Sequence, residues 1–181
     1  MELKSHFISL KVVGWIDVFT CKEYACAMQN ALRVWGQNGG PELQAYIILS
    51  NCVHIIARAT PYKLVEYLQH FKQYTGREII QLIHQNKDET RGEWLAHMLG
   101  YFGKYNEKNK HLQFWQCSDT CMELEEPEMI RRKIVYLHNL PVTQGIVSEP
   151  EHYAYSSASP LNGGVKAASS GTGNIPFYYK N

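Results

Sequence analysis

The chain of 181 residues has no surplus of either charge: 18 Lys and Arg stand against 17 Asp and Glu, a formal net charge of +1. That excludes a protein that holds polyanions by bulk positive charge. A basic groove on one face is still allowed, because local fields follow the distribution of charge rather than its sum. Also missing is any apolar run near the roughly 20 residues a helix needs to cross a bilayer. The first residues, MELKSHFISLKVV, lack the basic, then apolar, then small-residue layout of a secretion signal. The expectation is a soluble, cytoplasmic chain with no membrane partner. Cysteine is sparse and unpatterned: five residues, with no CxxC. An odd count at such spacing suggests neither a disulfide framework nor a zinc knuckle, so all five are read as reduced thiols. Internal repeats are absent as well.

Aromatic residues, in contrast, are plentiful, with twelve Tyr and four Trp. They suit a well-filled core with amphipathic rims, or a surface on which bases stack. Along the chain, HFISLKVV (6–13) reads as a strand and CKEYACAMQNALRVWG (21–36) as a helix ending at Gly36. After a turn at QNGGP, AYIILS (45–50) and CVHIIARA (52–59) read as a strand hairpin. Thr60-Pro61 is a helix start, with a hydroxyl at the N-cap and Pro in the first turn. Leu64, Leu68, Phe71, Thr75, Ile79 and Leu82 then form one stripe to about His84. A polar link leads into LAHMLGYFGKY, HLQFWQ (111–116) reads as a short strand, and EEPEMIRRKIVYLHN (125–139) as a last helix stopped by Pro141. Residues 1–158 form one domain in this reading. Residues 159–181, rich in Gly, Ser and Ala, form an irregular tail. The order of elements implies an α+β fold, an antiparallel sheet with helices mainly on one face.

Two stretches carry chemistry. In NCVHIIA (51–57), Cys52 and His54 lie two apart and point to one side of a strand. They are a core thiol beside a core imidazole, or a pair of metal ligands. On the last helix, Tyr136 lies roughly 120° from the Ile130/Ile134/Leu137 stripe, so it is not a core-filling residue. Arg132 and Lys133 flank it one turn earlier. A phenol between two cations suits a phosphate: the hydroxyl can attack a phosphodiester and keep its bond energy as a phosphotyrosine. Such a nucleophile needs a cation to polarise the phosphate, and a divalent ion held by the strand pair would supply it. Lys72 and Arg77 are further candidates for DNA phosphates. Tyr74 and Trp115 are read as packing residues, and His138 as a cap or packing feature.

These blocks, in their order, resemble the REP-associated tyrosine transposases, within the single-tyrosine transposases of the HUH endonuclease superfamily. AYIILSNCVHII resembles the strand pair with the His-apolar-His metal motif, and FWQ (114–116) a middle block. YLHNLPVTQGIV (136–147) resembles the Tyr-bearing helix end, and YAYSSA (153–158) the closing block. The resemblance implies a ferredoxin-like sheet and a partner that is single-stranded or hairpin DNA. It implies cleavage and rejoining through a 5′-phosphotyrosine on Tyr136, and a protein that is a monomer or homodimer. It also implies a divalent metal at His54 and Cys52, Mg²⁺ or Mn²⁺ by family and Zn²⁺ by the thiolate's softness.

The chain departs from the family at two of three ligand positions. Cys52 stands where the first His belongs, and Leu140 where a polar ligand, usually Asn, follows the Tyr by four residues. Asn139 is about 100° away around the helix and could substitute only if the helix end unwound. The alternative to a working enzyme is therefore a DNA-binding relic of the same fold, with no metal bound. A third reading is a metal-binding regulator that holds zinc at Cys52.

Overall fold

The computed structural model describes residues 2–35, 40–105, 112–118 and 120–162. Four strands, β1 (Lys4–Lys11), β2 (Glu42–Ile48), β3 (Cys52–Ala59) and β4 (Thr120–Leu124), form one antiparallel sheet in the order β2-β3-β1-β4. Helix α1 (Lys22–Arg33) joins β1 to β2. Helices α2 (Pro61–Gln85) and α3 (Gly92–Lys104) join β3 to β4, and α4 (Pro127–Thr143) follows β4. This connectivity and strand order are those of a ferredoxin-like sheet, as the resemblance implied, within the α+β class that the element order suggested. Among the described residues no helix is long and apolar enough to cross a membrane.

Strand alternation sorts the side chains into two cores. Ile8 and Leu10 of β1, Tyr46 and Ile48 of β2, and Val53 and Ile55 of β3 point to one face. There they pack against Tyr24, Met28 and Leu32 of α1, the stripe of α2, and Leu95 and Leu99 of α3. The opposite face carries Phe7, Ala45, Ile47, Leu49, Cys52 and Ile56, and α4 covers it through Ile130, Ile134, Leu137 and Leu140, joined by Tyr153. Three helices on one face and a single one on the other match the expected lopsided layering. The second core is small, so each large apolar residue in it, at about 1.5–3 kcal/mol when fully buried, carries a large share of what holds α4 down.

Several local readings need correction. HLQFWQ is not a strand: His111 lies outside the described residues, and Trp115 makes only an isolated bridge to Val12. Trp115 is nonetheless core, its indole N–H donating to Thr75 at 3.1 Å. The fourth strand is TCMEL, further along the chain, where a threonine, a cysteine and a methionine gave weak alternation. Helix α4 does not stop at Pro141 but runs through it to Thr143. A proline inside a helix removes one amide donor; here the helix still closes, with the Gln144 amide bonding to Leu140 and that of Gly145 to Val142. Thr60 does occupy the N-cap of α2, but its hydroxyl makes no capping bond, which leaves Pro61 as the start signal. The turn at Gly36 lies outside the described residues, and α1 ends at Arg33.

Beyond α4 the chain returns along the outer edge of β2. The Ile48 amide bonds to Tyr155, that of Ser157 to Tyr46, and the Tyr46 amide to the Ser157 hydroxyl. These bonds cover one sheet edge, which would otherwise present unpaired backbone groups. Described packing continues to Asn162, whose side chain bonds to Gln29 and to the Ala154 and Ser156 carbonyls. Most of the expected tail, 163–181, lies outside the described residues.

Candidate functional site

The site lies on the sheet face that α4 covers. The helix contacts both edge strands of the sheet, β2 and β4. On that face Cys52 and His54 stand side by side, with Sγ 3.6 Å from Nε2. Burial pushes the thiol up to about 11, so sulfur keeps its proton. Burial, with lesser contributions from Lys133 and Lys11, pulls the imidazole down to about 4, so it is neutral at physiological pH. The consistent arrangement is an S–H donating weakly to Nε2. The imidazole proton then sits on Nδ1, which is buried and has no hydrogen-bond partner among the described residues. Phe7 stacks on the imidazole, ring centroids 5.5 Å apart and planes 25° from parallel.

A metal fits this pair poorly. The separation of 3.6 Å is close to the edge of about 3.6 Å that one sulfur and one nitrogen subtend on a tetrahedral zinc. Two donors are too few, however: even an open catalytic zinc takes three protein ligands. Leu140, at the third position, packs into the second core, and no group of three or more His, Cys, Asp or Glu side chains gathers among the described residues. Asn139 does not substitute, because the helix stays wound and its side-chain amide donates to the Val135 carbonyl at 2.8 Å. Mg²⁺ and Mn²⁺, which prefer several hard oxygen ligands, find a thiol and an imidazole here.

Tyr136 stands on the exposed side of α4, 53% accessible, as its angular position requires. The ammonium of Lys133 lies 4.7 Å from the centre of its ring and 4.1 Å from that of Phe7. Phe7 therefore touches both the neutral imidazole and the cation, linking the strand pair to the helix. Arg132 forms an ion pair with Glu128 at 3.2 Å, and Arg131 shares that carboxylate at 3.1 Å. Between α4 and β4 lies an open groove of about 410 Å³. Met122 and Leu124 of β4 and Met129 of α4 line it, along with Arg132, Lys133 and Tyr136. Glu126 and Glu128 line it too.

The other candidates lie elsewhere. Lys72 and Arg77 are on α2, across the sheet from α4, and Lys72 donates to the Gln116 carbonyl at 3.0 Å. They share no groove with Tyr136. Tyr74 is exposed rather than packed, and its hydroxyl, desolvated and bonded to Glu78, is pushed up to about 12. His138 is the packing feature expected, bonded to Ser157 at 2.8 Å. Two residues that sequence reasoning missed are Phe7 and Met122. Phe7 reads as an ordinary core residue until the register brings it beside His54. Met122 belongs to a strand the pattern did not reveal.

No family model matches this chain, and no curated protein does. Among solved structures, its fold is similar to that of a REP-associated tyrosine transposase bound to a REP hairpin. The two are 12% identical with a TM-score of 0.50, over 97% of this chain and 93% of that one. A candidate transposase from Deinococcus radiodurans R1 is 16% identical with a TM-score of 0.48, over 77% of this chain and 92% of that one. At the first of these levels the likeness is one of fold. The chain has a transposase-like fold.

Proposed function

We propose that the protein binds single-stranded or hairpin DNA on the α4 face, with its strand-cleaving chemistry silenced at the metal site. The observation that carries this reading is the state of three positions on one sheet face. Tyr136 is exposed beside a cation, whereas the Cys52–His54 pair is neutral and Leu140 packs, half-buried, against the second core. The nucleophile survives and the ion that would polarise its phosphate has lost a ligand. The transposase of similar fold is bound to a REP hairpin, which supports a structured single strand as the ligand here. An apolar groove rimmed by Tyr136, Lys133 and Arg132 suits an unstacked strand: bases rest on aromatic and thioether surfaces while phosphates meet the cations. Lys72 and Arg77 stand across the sheet from this face.

Fluorescence anisotropy with a labelled hairpin carrying a single-stranded overhang tests the reading. Tighter binding to that ligand than to a blunt duplex of equal length, weakened in Tyr136→Ala, supports it. Equal or absent binding to both rejects it.

A further inference from the structure

Helix α4 presents Arg131, Arg132 and Lys133 in succession, and the first two share one carboxylate. Their Nε atoms donate to the two oxygens of Glu128. Lys133 makes no ion pair among the described residues. Its ammonium rests between the rings of Phe7 and Tyr136, 4.1 and 4.7 Å from their centres, and the residue is half-buried. Ring faces compensate an ammonium for part of its lost hydration without neutralising it. A half-withdrawn cation outside any ion pair among the described residues favours an anion arriving from solvent. The groove in front of it is open, and its rim includes an exposed phenol.

We propose that Lys133 is the cation of this site: it binds a backbone phosphate of the DNA strand beside Tyr136, in the absence of any divalent metal. The inference rests on the DNA-binding reading above and names the group that replaces the missing ion. Lysine suits the role because its charge is compact and carried on a flexible stem. Phe7 sets its position, lying under the ammonium on one side and against His54 on the other. The neutral Cys52–His54 pair places no second cation beside Lys133. Glu128, which lines the same groove, is already bound by both arginines.

The test measures binding of the hairpin-plus-overhang DNA at fixed ionic strength, in EDTA and in Mg²⁺, for the wild-type chain, Lys133→Gln and Lys133→Arg. The expected result is wild-type affinity unchanged by EDTA. Lys133→Gln should lose about tenfold, the scale of one charge-assisted hydrogen bond, with an unchanged melting temperature, and Lys133→Arg should keep most of the affinity. Loss of binding in EDTA, or wild-type affinity in a folded Lys133→Gln, overturns the proposal. If wild type binds no DNA at all, the functional reading fails, and inorganic phosphate then decides the Lys133 site by itself. Saturable NMR shifts at the Lys133 and Tyr136 amides, absent in Lys133→Gln, keep the site. Their absence removes it.

Discussion

The Cys52 thiol and the His54 imidazole meet at 3.6 Å, and burial holds each in its neutral form. A metal ligand pair needs the opposite of the first, a thiolate, and the access to water that lets its proton leave. The pair is therefore a piece of polar core in which one imidazole N–H has no partner among the described residues.

Burial of His54 makes stability depend on pH. Its folded-state value, about 4, lies below its ordinary 6.5, so the unfolded chain binds the proton more tightly. The stability this confers is fully present above pH 6.5 and is lost as pH falls through 4, by at most about 3 kcal/mol. Urea unfolding of wild type and His54→Gln across pH 4–7 should show a slope in the first that is much reduced in the second.

Cys52 should resist alkylation. With its thiol pushed up to about 11 and its side chain buried, it offers almost no thiolate at pH 8. Cys117 and Cys121 are exposed. Mass spectrometry after a short iodoacetamide pulse should find label on those two, and on Cys52 only in denaturant.

Leu137 should be the anchor of α4. It is fully buried in the second core, and Leu137→Ala should cost about 2–5 kcal/mol. Leu140→Asn, at a half-buried position, should cost less, about 1–3 kcal/mol for an amide placed in apolar surroundings. Thermal melts of the two variants rank them.

Gly14 tolerates no side chain. Its φ is +63°, and a Cβ there would lie 2.4 Å from Cε2 of Phe102. Gly14→Ala should destabilise the protein by about 1–3 kcal/mol, and Phe102→Ala would relieve only the steric part.

Much of this was legible in the residues. The α2 stripe at Leu64, Leu68, Phe71, Thr75 and Ile79 is buried as its spacing implied, and the exposure of Tyr136 followed from its angle to Ile130, Ile134 and Leu137. Strand β4 escaped because TCMEL is an edge strand exposed at three consecutive positions, which erases the period-two signal. The passage of α4 through Pro141 escaped because a proline lacks the amide a helix needs and reads as a stop, whereas the Gln144 and Gly145 amides still close the turn beyond it. Different sheet faces for Lys133 and Lys72 could not be read at all: sequence spacing places a charge on a helix, but packing decides which side of the sheet the helix covers. The isolation of Lys133 likewise depends on Glu128 reaching both arginines, which the string EMIRRK leaves open.

The central claim is a DNA-binding face whose nucleophile remains and whose metal site is dismantled. A denaturing gel of labelled hairpin-plus-overhang DNA, incubated with Mg²⁺, Mn²⁺ or Zn²⁺, tests it most directly. The account predicts no covalent adduct from wild type, and one from Cys52→His with Leu140→Asn that disappears when Tyr136→Phe is added. An adduct from wild type, lost in Tyr136→Phe, would contradict it and make the chain a working strand-cleaving enzyme.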